Sequence, residues 1–116
     1  MKLNNHIETD DIRKKEINMK YFIIEGTIIN AALMNDNILK EHMAYSQKAM
    51  DKGLILTSGL KADMSGGVFI MKVDSKEEME NYLNNEPLKV QGIQEYKITE
   101  FKPHYVDELA SKWFDK

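Results

Sequence analysis

Val68-Phe69-Ile70-Met71-Lys72-Val73, followed after a single aspartate by Ser75-Lys76-Glu77-Glu78, sets the architecture of this chain. The first run is apolar on both alternating sides, with Phe69 and Met71 on one and Val68 and Ile70 on the other. It is too short for a buried helix, so it reads as a strand covered on both faces. Ser75 with Glu78 three residues on is a capping box, in which each side chain satisfies an exposed backbone amide of the other's turn. A helix therefore starts at Ser75, directly after the strand.

Outward from this stretch, the other elements fall into order. Tyr21-Phe22-Ile23-Ile24-Glu25-Gly26 is an apolar run ended by glycine and makes a first strand. Asp36 or Asn37 can cap a first helix, which carries Ile38, Leu39, His42, Met43, Tyr45, Ala49 and Met50 at helical spacing and stops at Gly53. Leu54 to Thr57 is the second strand, and Gly59 to Gly67 is a flexible connection into the third. The second helix presents Met79, Tyr82 and Leu83 and ends at Asn84-Asn85-Glu86-Pro87, because the residue before proline is driven out of helical geometry. Tyr96 to Phe101 is the last strand.

The order strand, helix, strand, strand, helix, strand predicts an α+β domain of ferredoxin-like βαββαβ type. Both helices lie on one face of a four-stranded antiparallel sheet. The domain spans residues 19–103, after a polar N-terminal extension over residues 1–18. Val106, Leu109, Ala110, Trp113 and Phe114 share one face of a C-terminal amphipathic helix over residues 104–116, whose use is to cover an exposed sheet edge or a partner subunit. The sheet face away from the helices needs cover, and a homodimer with two sheets packed face to face is its simplest source.

Composition removes several classes of function. The net charge is -3 and acidic and basic residues are interspersed, so no basic stripe is present to neutralise a phosphate backbone, and nucleic acid is not an expected partner. There is no cysteine, which excludes disulfides, thiolate metal sites and cysteine nucleophiles. No apolar run approaches the roughly 20 residues that span a bilayer, and the first residues lack the apolar centre of a secretory signal. No membrane partner and a cytoplasmic location are expected. His6, His42 and His104 are far apart, so no metal site is expected, and with no short cofactor motif present no cofactor is expected. Gly66-Gly67 precedes a strand and lacks a lysine-serine pair, which makes it a turn and not a phosphate loop.

Right-handed crossovers make the first and second strands parallel with the third between them. The start of the first helix, the connection holding Asp63, Ser65, Gly66 and Gly67, and the helix exit at Glu86 then meet at one end. His42, one to two turns into its helix, is within reach of a carboxylate from Asp63 or Glu86. Such a histidine is a candidate general acid or base, oriented through its second ring nitrogen, with Tyr45, Ser65 and Gly66 as candidate substrate contacts. The plain alternative is a boundary histidine that fills space beside Tyr45.

Glu41-His42-Met43-Ala44-Tyr45, Lys52-Gly53-Leu54-Ile55-Leu56-Thr57-Ser58-Gly59-Leu60, Gly66-Gly67-Val68-Phe69-Ile70, the helix opened at Ser75, and Asn85-Glu86-Pro87 before Tyr96-Lys97-Ile98 together resemble the YciI-like (YCII-related) proteins of the dimeric α+β barrel group. That resemblance, over about Met19 to Lys102, implies a dimeric α/β barrel, that is, a homodimer or higher oligomer. It also implies an active-site pair of a histidine in the first helix and an aspartate, often in an Asp-Pro pair after the second. His42 matches the first, and Glu86-Pro87 stands where Asp-Pro is usual, one methylene longer, with Asp63 as the alternative carboxylate. The implied function is a cofactor-independent isomerase, lyase or dehalogenase acting on a small cyclic or aromatic-derived substrate. The alternative is a non-catalytic module that binds a small organic ligand or another protein.

Overall fold

The computed structural model describes residues 19–114. Its elements are β1 (Lys20–Ile28), a short 3-10 turn (Ala31–Leu33), α1 (Asp36–Asp51), β2 (Ile55–Leu60), β3 (Gly67–Val73), α2 (Lys76–Asn84), α3 (Pro87–Val90), β4 (Gln94–Phe101) and α4 (Ser111–Phe114). The strands form one antiparallel sheet in the order β2-β3-β1-β4. Each of α1 and α2 thus carries the chain past one intervening strand, the interlocked crossovers of a ferredoxin-like α+β fold.

Period-two alternation decides which side chains meet the helices. Phe22 lies opposite Met71, and Ile24 is flanked by Phe69 and Ile98. Phe22, Ile24, Ile55, Met71 and Val73 are buried against Ala49 of α1 and Met79 and Leu83 of α2. Full burial of each large apolar side chain contributes about 1.5–3 kcal/mol, so this layer holds both helices to the sheet.

The opposite face carries Tyr21, Lys72 and Phe101 in one row and Ile23, Ile70 and Val68 further along. The C-terminal segment covers the first row. Trp113 and Phe114 pack on Tyr21 with ring centroids 5.7 and 5.3 Å away. The Tyr21 hydroxyl donates to the Phe114 carbonyl (2.8 Å), Lys72 Nζ donates to the Trp113 carbonyl (2.6 Å), and Trp113 Nε1 donates to the Gly53 carbonyl (3.2 Å). Ile23 stays 39% exposed.

Several boundaries differ from the sequence expectation. Asn35, one residue before the two expected caps, is the N-cap of α1, because its Oδ1 reaches the Ile38 amide (2.9 Å). On α1 only Ile38, His42, Tyr45 and Ala49 of the expected stripe turn inward, while Leu39, Met43 and Met50 are exposed. Ser75 caps α2 as expected, accepting from Glu78 N (3.0 Å), but Glu78 reaches back to the Asp74 amide (3.3 Å) and not to that of Ser75. β2 continues through Gly59 and Leu60, which pair with Val68 and Gly67. Among the described residues the C-terminal helix is confined to Ser111–Phe114, with Tyr105 92% and Leu109 97% exposed. The expected N-terminal extension lies outside the described residues.

Candidate functional site

α2 ends at Asn84, and the chain turns through Asn85 and the extended Glu86 (φ -70, ψ 127) into Pro87. Proline at the first helical position has its φ preset for a helix and no amide to leave unsatisfied, so Glu86-Pro87 opens a new turn of helix, α3. Glu86 is its N-cap. Oε2 accepts from Leu88 N (2.9 Å), Lys89 N (3.3 Å) and the Tyr96 hydroxyl (2.7 Å), while Oε1 is hydrogen-bonded to His42 Nδ1. The residue is 1% exposed. Leu88 N, Lys89 N and the Tyr96 hydroxyl all donate to one oxygen, the pattern that suits a side-chain form able only to accept. Isolated charges are costly to bury, and these donors offset the lost water.

Tyr96 reaches Glu86 from β4, where it pairs with Gly26 of β1. A Cβ at Gly26 would stand 2.5 Å from Gln94 Cδ, so a larger residue there would displace the Gln94 side chain. Gln94, 5% exposed, donates from Nε2 to the Tyr96 oxygen (3.0 Å). Burial first, and the Glu86 charge second, push the Tyr96 phenol well above its ordinary range. Burial likewise raises Tyr82, against a lowering hydrogen bond from Ser46. Both phenols therefore remain hydrogen-bond donors at neutral pH.

His42, Glu86, Tyr96, Gln94, Tyr82 and Ser46 line a cavity of about 250 Å³. Its remaining wall is mostly apolar, with Ile28, Leu60, Phe69 and Leu88 among the contributors, and Gly66 and Gly67 form part of the rim. An apolar cavity of about 150 Å³ accommodates a benzene-sized guest, so the space here suits a substituted single ring. With Nδ1 engaged by Glu86, the free ring nitrogen of His42 is Nε2.

The expected site residues separate into two groups. His42 and Glu86 are in contact. Asp63 is not among the residues that line the cavity with His42, and it accepts from Ser65 N (3.0 Å) and Ser65 Oγ (2.6 Å), bonds that hold its carboxyl below the usual range. That turn places Met64 at a left-handed φ of 65. The Ser65 carbonyl accepts from Ile28 N (2.8 Å), which pins the connection to the end of β1. Gly66 does line the cavity, pressed so close to β1 that a Cβ would lie 1.9 Å from the Gly26 oxygen. Tyr45 does not line it; its hydroxyl donates to the Tyr82 carbonyl (2.6 Å) and its ring stacks on Tyr82 at 4.7 Å.

Sequence reasoning missed Tyr96, Gln94 and Tyr82 as site residues. The available signal was the two-residue spacing of Gln94 and Tyr96, which places both on the helix-facing side of β4. Among the described residues no cluster of three or more His, Asp or Glu side chains is placed to hold a metal ion, and no helix is long and apolar enough to cross a membrane.

Comparison with known proteins adds the following. The family model described as the YCII-related domain matches residues 19–102. The 5-chloro-2-hydroxyhydroquinone dehydrochlorinase TftG from Burkholderia phenoliruptrix, solved in complex with 2,5-dihydroxybenzoquinone, is similar in structure, with a TM-score of 0.60 and 24% identity over 71% of this chain and 93% of that chain. The likeness is one of fold. A hypothetical Arabidopsis thaliana protein solved in solution has a TM-score of 0.43 and 14% identity, covering 76% of this chain and 90% of its own. No curated protein matches the chain.

Proposed function

The chain belongs to the YCII-related domain family, and on that premise we propose that it is a cofactor-independent enzyme in which the His42–Glu86 pair moves a proton of a small, single-ring substrate. The observation that carries this reading is Glu86 Oε1 on His42 Nδ1 at the wall of a largely apolar cavity. A carboxylate at Nδ1 keeps the proton there and leaves Nε2 as the base. It also stabilises the imidazolium that forms when Nε2 takes up a proton.

The reaction class is proton abstraction coupled to elimination or to tautomerisation. In elimination, Nε2 takes a proton from the substrate ring in its non-aromatic keto or saturated form, the released electron pair forms the new double bond, and the leaving group departs from the neighbouring sp3 carbon with its own bonding pair. TftG, whose fold this chain shares, is a dehydrochlorinase, which favours elimination as the first chemistry to test. The half-covered sheet face with Ile23, Ile70 and Val68 supports a second copy of the chain packed there, as a homodimer.

The test is halide release from a panel of chlorinated hydroxy-substituted rings, with ring absorbance followed in parallel. Turnover by the wild type and a loss of about 10²–10⁴-fold in His42→Ala, with the variant less stable but still cooperatively folded, is the expected result. Ring ligands that bind by calorimetry with no turnover would overturn the enzyme reading in favour of a ligand-binding module. Full activity in His42→Ala would end the role assigned to the histidine.

A further inference from the structure

We propose that Tyr96, itself oriented by Gln94, is the positioning residue of this site. It locks the Glu86 carboxylate in the one orientation that presents Oε1 to His42 Nδ1. The inference rests on the proton-transfer reading of His42, and its first readout is independent of turnover.

The argument starts from how the hydrogen bonds are shared. Oε2 takes three donors, Leu88 N, Lys89 N and Tyr96 Oη, whereas Oε1 takes His42. The terminal torsion of a glutamate is broad and roughly two-fold, so an unrestrained carboxylate would swing about its Cγ–Cδ bond. The two amides belong to the same short turn as Glu86 and move with it. Tyr96 comes from β4, in the sheet, and therefore fixes the carboxylate relative to the core and not merely to its own helix.

Gln94 settles which way the phenol proton points. Its Nε2 donates to the Tyr96 oxygen (3.0 Å), so the phenolic hydrogen is directed to Glu86 Oε2 at 2.7 Å. The chain Gln94 to Tyr96 to Glu86 thus runs in one direction and meets the oppositely directed donor His42. Burial of Tyr96 keeps its proton in place. Gly26, beside both β4 residues, leaves the room that the Gln94 side chain fills.

Tyr96→Phe keeps the ring and deletes only the hydroxyl. The measurement is the imidazole 15N and Nδ1–H proton spectrum of His42 in the full chain at neutral pH, followed by steady-state kinetics on whichever ring substrate the wild type turns over. The Nδ1–H resonance should move or be lost to solvent exchange, and kcat should fall roughly tenfold with KM changed less than twofold. Gln94→Met should move the same resonance in the same direction by a smaller amount, which keeps the test available if Tyr96→Phe folds poorly. A resonance unmoved in both variants overturns the positioning role. A moved resonance in a protein that turns over no substrate supports the positioning of the ring and removes the catalytic reading instead.

Discussion

Glu86→Gln changes one atom of the side chain and, through it, the direction of the hydrogen bond to His42. Wild-type Glu86, 1% exposed, accepts from Leu88 N, Lys89 N, Tyr96 and His42. In the variant the remaining oxygen keeps the two amides and the phenol, and the new NH2 group stands where Oε1 faced the ring. His42 must then accept at Nδ1, which transfers its proton to Nε2 and puts a donor where the base stood. The stability cost is the replacement of charge-assisted hydrogen bonds by neutral ones, about 1–3 kcal/mol in all. Glu86→Ala would be harsher, because it removes the cap of α3 and strands buried donors, at about 3–5 kcal/mol. Against a total stability on the order of 5–15 kcal/mol, the glutamine variant stays folded and is the one to assay. Urea unfolding reads the cost, 15N spectra of the imidazole read the tautomer, and turnover should drop about 10²–10⁴-fold. A variant with the wild-type midpoint and the wild-type His42 tautomer would refute the reasoning, since it would mean that Glu86 does not orient the ring.

Three other outcomes follow from the geometry. Gly66→Ala should lose about 1–3 kcal/mol in urea unfolding, or more, because its Cβ would fall 1.9 Å from the backbone oxygen of Gly26 and the connection would have to shift. Ser75→Ala removes the side chain that accepts from Glu78 N and should lower stability by about 1 kcal/mol, read as a drop in Tm, with the cavity unaffected. Above pH of about 10 the unfolded chain releases the Tyr96 proton while the folded protein retains it, so the native state then binds more protons and stability falls as pH rises. The stability held below that pH is lost at up to about 1.4 kcal/mol per pH unit for Tyr96, less for its partial exposure, and unfolding curves at pH 9 to 11 should be flatter in Tyr96→Phe.

The sheet and its two helices are legible in the sequence because each rests on a local signal: apolar runs of strand length, the Ser75 cap, and the glycine after α1. What escapes local reading is whatever a non-neighbouring strand imposes. Gly59 and Leu60 read as the start of a flexible connection, but backbone pairing with β3 extends β2 through Leu60. The C-terminal stripe has helical spacing, yet among the described residues α4 is the single turn in which Trp113 and Phe114 pack on Tyr21, and Leu109 is exposed. The same division runs through the site. His42 and Glu86 are readable as a histidine–carboxylate pair because topology brings the first turns of α1 and the exit of α2 to one end, but Asp63 is the alternative carboxylate until its bonds to Ser65 are seen. Glu86-Pro87 carries two messages at once, the stop of α2 and the start of α3, and only the second explains why the carboxylate points inward: a capping side chain must curl back toward its own amides. Once curled, Oε2 is spent on the cap and on Tyr96, and Oε1 is the oxygen left to face the histidine. The lengthened side chain at this position is therefore consistent with both tasks, capping a helix and orienting a ring, being done by a single carboxylate.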